Sequence, residues 1–113
     1  ELFHAYQDTK GQGGASIHNE VEAYLFEAKI VYMVNNGLGS VPLTAAERQS
    51  SSTFSNALNT LIFDGFNQND FNAVVSEFKT ASNANAGGLY NNYPLVRSNQ
   101  TQSLIKQFYP IYL

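Results

Sequence analysis

The chain has only two histidines, His4 and His18, and they share the first quarter of the sequence with five of its nine acids, Glu1, Asp8, Glu20, Glu22 and Glu27. Over that stretch Lys10 is the one basic side chain. Such crowding of carboxylates suits a cation site, and a solvated acidic surface explains it nearly as well. Cysteine is absent, which excludes disulfides, thiolate zinc sites and cysteine nucleophiles. The amides are abundant, with 13 Asn and 7 Gln, and are expected at loops and helix ends.

Glycine and proline punctuate the sequence and suggest the elements that carry these groups. Residues 1–8 contain no breaker and form the end of a helix, followed by the flexible loop 10–14 (KGQGG). Ser16 is suited to cap a long helix from Ile17 to Asn35, stopped by Asn36-Gly37. Residues 38–43 form a loop, and Thr44 with Glu47 makes a capping-box pattern. The helical stretch it opens is broken at 50–52 and reaches Phe63. Asn69 or Asp70 caps a further helix to Ala81. A loop with Tyr90 and Tyr93 spans 84–94, and Ser98 or Asn99 begins a last helix ending at Phe108. With no hairpin turn and no sustained alternation, the fold class is all-α. The expected architecture is four to five helices around a central helix at 17–35, in a single helical domain over 1–113.

Angular position on the central helix separates its acids. At 100° per residue, Val21, Tyr24, Ala28, Val31 and Tyr32 fall within about 60° of Ile17 and make one apolar face. Phe26, Ile30 and Met33 cluster roughly opposite. His18, Glu22 and Lys29 share a narrow stripe between them, expected to be solvated. Glu20 instead lies beside Tyr24 and Val31. A carboxylate on the buried side of a helix is costly unless it is paired or bound to a cation.

Glu1-Leu2-Phe3-His4, continued by Ala5-Tyr6-Gln7, resembles the last four residues of the zinc-peptidase (zincin) signature His-Glu-x-x-His. In that motif two histidines four residues apart share a helix face and bind zinc, while the Glu polarises the metal-bound water. Glu1 and His4 match its second and fifth positions, and its first His would precede residue 1. The chain opens without Met and is expected to belong to a longer protein, entered within the active-site helix. The segment His18-Asn19-Glu20-Val21-Glu22-Ala23-Tyr24 is similar to the second helix of gluzincin-type peptidases, which supplies a Glu as third ligand. The resemblance spans residues 1–27, with 28–113 as a helical remainder. It implies a zinc-dependent hydrolase of peptide bonds, with Glu1 as general base, His4 and Glu20 as zinc ligands, and Tyr24 supporting the ligand helix from behind. Because the first His is missing, zinc binding by this chain is expected to be weak or absent and the chain inactive.

Other residues have two readings each. Asp8, one turn beyond His4, could hold its imidazole or simply lie at a helix end. His18 is a substitute ligand, a transition-state stabiliser or an exposed histidine. Glu22 is a surface partner for the charges of its stripe or, with His18 four residues away, an alternative site. Tyr90 and Tyr93 form a substrate-facing lip or cap a core. The function opposed to a peptidase is a non-enzymatic helical interaction or structural domain carrying a chance or degenerate motif. A net charge of −3 with no basic cluster argues against a nucleic-acid-binding face. No apolar run approaches the length of a membrane span.

Overall fold

The computed structural model describes residues 2–34, 52–81 and 87–109. Glu1, the Asn36-Gly37 stop, the 38–43 loop, the Thr44/Glu47 capping box and residues 50 and 51 of the expected break lie outside the described residues. Within them the protein is all-α and contains no strand. Helix α1 covers Leu2–Thr9, α2 Ile17–Val34, α3 Ser52–Asn59 and α4 Gln68–Ala81. A π turn, Thr60–Asp64, prolongs α3, and a 3₁₀ helix, Leu104–Phe108, lies near the end. Helix α2 is central and packs against α1, α4, the π turn and the 3₁₀ helix.

Eight residues are too few for an independent helix in water, so α1 depends on what it buries. Phe3 and Gln7, one turn apart, face inward. Helix α1 then ends in a Schellman turn: Gly11 N–H donates to the Asp8 carbonyl at 3.1 Å and Gln12 N–H to the Gln7 carbonyl at 2.9 Å. Gly11 sits at φ 70°, a left-handed conformation that a Cβ would oppose. This turn reverses the chain within a few residues and lets α2 start beside α1.

Ser16 caps α2 as expected, its Oγ accepting the Asn19 N–H at 3.0 Å. The first free amides of α2 have partners from far along the chain. Ile17 N–H donates to the Pro94 carbonyl and His18 N–H to the Leu95 carbonyl, both at 2.9 Å. The tyrosine loop is thereby docked on the start of α2. Ile17, Val21, Leu25 and Ala28 form the buried face of α2, meeting Phe54, Leu58, Leu61, Phe71, Val74 and Ile105 in one core.

Two element boundaries differ from the sequence-based expectation. Helix α4 is capped by Asn67, whose Oδ1 accepts the Asp70 N–H at 3.0 Å, and not by Asn69 or Asp70. The rings of Phe66 and Phe71, 5.8 Å apart, form a hydrophobic staple across that cap, which fixes where the helix begins. Replacing Asn67 with Ala is expected to lower stability by about 1 kcal/mol, and Asn69→Ala by less than about 0.5 kcal/mol; urea unfolding of both variants checks the position. The expected last helix from Ser98 or Asn99 is only the 3₁₀ helix from Leu104. Its upstream amides are captured by side chains: Thr101 N–H donates to Gln12 Oε1 at 2.9 Å and Arg97 N–H to Gln100 Oε1 at 2.8 Å. These contacts, with Asn99 Nδ2 donating to the Gly13 carbonyl at 2.8 Å, hold the stretch against the loop that follows α1.

Candidate functional site

The Schellman turn and the capped start of α2 bring His4 and Glu20 together. His4 Nε2 lies 3.0 Å from Glu20 Oε2, with the two side chains 32% and 23% exposed. The pair is thus open to solvent on one side and held by two helices on the other. The Tyr90 hydroxyl hydrogen-bonds to Glu20 as well. Burial, and then the charge of Glu20, push the Tyr90 phenol above its ordinary value. Its ring packs on Phe78 at 5.7 Å and edge-on to Tyr93 at 5.1 Å. The tyrosine loop therefore caps the core and at the same time presents one hydroxyl to the candidate site.

Behind His4 runs a buried polar chain. His4 Nδ1 is 2.8 Å from Gln7 Oε1. Gln7 Nε2 donates to Glu22 Oε1 at 2.9 Å and to the Asn19 carbonyl at 3.2 Å. Glu22 Oε2 accepts the Ile105 backbone N–H at 2.9 Å. This corrects the expectation for Glu22: it is not a surface partner but fully buried, at 0% exposure. Desolvation raises its pKa above the ordinary 4.5, opposed by the Ile105 N–H, by His18 and by Gln7. Of the stripe expected to be solvated, Glu22 and Lys29 are buried and His18 is half-buried. The 3₁₀ helix covers Glu22, while Lys29 reaches the Ile62 carbonyl at 2.9 Å and lies 4.6 Å from the Tyr109 ring centroid. Burial lowers the pKa of that Lys29 ammonium, and Asp64 partly offsets it.

The remaining candidates fall as follows. His18 stacks edge-on against Phe71 at 5.2 Å and places Nδ1 3.2 Å from Asn19 Oδ1. It stands 3.9 Å from Glu22 Oε1. Both Glu22 oxygens already accept protein hydrogen bonds, so the His18–Glu22 pair has no carboxylate oxygen turned outward. Asp8 is exposed, and the place behind His4 proposed for it is taken by Gln7. Tyr24 is half-buried and packs on the core. Glu1, matched to the general base, lies outside the described residues. Gln7 is the member whose part in the site the sequence concealed, while Tyr90 stood among the loop tyrosines without a named partner. Gln7 shares the inner face of α1 with Phe3, a signal for burial, but a buried glutamine does not announce its partners.

Imidazole and carboxylate suit a zinc-type cation. Two ligands at bonds of about 2.0–2.1 Å in a tetrahedral shell lie about 3.3–3.4 Å apart, close to the 3.0 Å between His4 Nε2 and Glu20 Oε2. Two positions of such a shell fit these residues. Among the described residues no group of three His, Cys, Asp or Glu side chains is placed to hold a metal. The chain matches no family model, no curated protein and no solved structure. Among the described residues no helix is long and apolar enough to cross a membrane.

Proposed function

We propose that His4, through Nε2, and Glu20, through its carboxylate, are two protein ligands of a zincin-like zinc site in a peptide-bond hydrolase, with the general base at Glu1. The supporting observation is the 3.0 Å approach of His4 Nε2 to Glu20 Oε2 across two helices, at positions that the motif resemblance assigns as ligands. When bound, zinc supplies Lewis acidity and an activated water. The chain's own groups orient that site. Gln7 holds the back of the imidazole, and the Tyr90 hydroxyl on Glu20 steadies the carboxylate. Glu1 would serve as the general base, its carboxylate accepting a proton from the water that bound zinc would activate.

A second reading has its own support. No third ligating side chain accompanies the pair among the described residues, and no family matches. On that reading the protein is a helical interaction or structural domain, and His4–Glu20 is an inter-helix ion pair. Zinc titration by calorimetry separates the two, applied to the 113-residue chain and to a version carrying one His directly before Glu1. The peptidase reading expects one tight zinc in the extended version and weak or no binding in the other. Absence of zinc from both would leave the structural reading, and equal affinity would show that the added His is irrelevant.

A further inference from the structure

The orientation of the Gln7 amide is decided by chemistry. Gln7 is 1% exposed, and one end of its amide faces two acceptors, Glu22 Oε1 at 2.9 Å and the Asn19 carbonyl at 3.2 Å. Only the NH₂ end can sit there; turning the amide over would set its oxygen against the Asn19 carbonyl, which has no proton to give in any state, and against the Glu22 carboxylate in a buried place. The oxygen end must therefore face His4. An amide oxygen has no proton to give, so the group 2.8 Å away has to be the donor, and that is His4 Nδ1–H. Glu22 cannot yield either, because its other oxygen is held by Ile105 N–H at 2.9 Å.

From this we infer that Gln7 is a positioning residue, fixed by Glu22 and the Asn19 carbonyl, that keeps a proton on His4 Nδ1 and so turns the Nε2 lone pair toward Glu20. With Nδ1 protonated, the close approach of Nε2 to a carboxylate calls for a cation between them, either a proton or a metal ion. Without one, the partner that moves is Glu20, which is partly exposed, and not the buried Gln7. The ring thus presents the nitrogen that a metal needs, with the other nitrogen committed, as is general for ligating histidines. Its significance for catalysis rests on the zinc-site reading, but the tautomer itself is a property of the metal-free chain.

The test is the ring tautomer, read from long-range ¹H–¹⁵N correlations of the labelled, metal-free 113-residue chain in alkaline buffer, where neutral rings are observed. His18→Gln assigns the two histidines. His4 is expected to show a protonated Nδ1 and an unprotonated Nε2, against the preference of free histidine for a proton on Nε2. In Gln7→Met, which keeps the shape and removes both amide groups, the proton is expected to move to Nε2 and bond to Glu20. A wild-type His4 protonated at Nε2 would overturn the inference, as would a Gln7→Met spectrum with the proton still on Nδ1. Should Gln7→Met fail to fold, Glu20→Gln serves: an unchanged tautomer supports control by Gln7, and a change assigns control to Glu20. Failure of zinc to bind bears only on the zinc-site reading, because no metal enters this measurement.

Discussion

Glu20→Gln is expected to lower zinc affinity by about 10²–10⁴-fold in the chain that carries a His directly before Glu1. Apparent zinc-binding free energies of about 10–16 kcal/mol for complete structural sites, divided over three or four ligands, make one ligand worth roughly 3–5 kcal/mol, which is that factor. Gln retains an oxygen to accept from Tyr90 but loses the charge, so the carboxamide is a poor zinc ligand. The fold should be little affected, because the Glu20 side chain is 23% exposed and its replacement removes no core contact. Glu27 is exposed on the same helix, and Glu27→Gln should leave affinity within twofold, about 0.4 kcal/mol. Competition with a chromogenic chelator reads both variants. If Glu20→Gln bound zinc as tightly as its parent, the carboxylate would be no ligand, and the 3.0 Å contact would be an ion pair alone.

The contrast between Glu20 and Glu22 shows how far sequence reaches in this molecule. The pairing of His4 with Glu20 was legible because everything that creates it is local. The pieces are one helix end, a Gly-rich turn and a serine-capped helix start, all within the first 20 residues. Residue periodicity put Glu20 on the buried side of α2 beside Tyr24 and Val31, whereas Glu20 is partly exposed and Val31 is exposed, so the turn and the cap make the pair. The same periodicity misplaced Glu22, because a wheel built from one helix knows only which side chains are polar and not what covers them. The cover is the 3₁₀ helix, whose Ile105 stands 83 positions away in the chain. Lys29 is hidden for a related reason: the π turn offers it the Ile62 carbonyl, and no feature of Lys29's own neighbourhood signals that acceptor. The Asn67 cap was missed, Asn69 or Asp70 being expected, for a simpler reason. Asn67, Asn69 and Asp70 can all cap a helix, and the choice is made by the ring contact between Phe66 and Phe71.

Glu22→Ala is expected to destabilise the protein by about 2–4 kcal/mol, several times the effect of a surface acid. Both Glu22 oxygens accept buried N–H groups, from Gln7 at 2.9 Å and from Ile105 at 2.9 Å. Truncation leaves the Ile105 amide without its acceptor, worth about 1–3 kcal/mol, and opens a void in place of the side chain. Relief of the carboxylate's own desolvation offsets part of this, and that part depends on pH. Burial raises the folded-state pKa of Glu22 above the ordinary 4.5, so the folded state takes up the proton more readily than the unfolded chain. By linkage, the stabilising contribution of Glu22 is complete below pH 4.5 and is lost as pH rises through the raised value. The stability difference between the wild type and Glu22→Ala should therefore be largest in acid and shrink as the solution approaches neutrality, the opposite trend to a salt-bridged surface carboxylate. Denaturant titrations of both proteins at several pH values measure it, and the subtraction removes groups common to the two. A pH-independent difference below about 0.5 kcal/mol would place Glu22 in solvent and dissolve the chain of contacts from Ile105 through Gln7 to His4. A difference that grew with pH would keep Glu22 buried but make its charge a net stabiliser, with the Ile105 and Gln7 N–H groups outweighing desolvation.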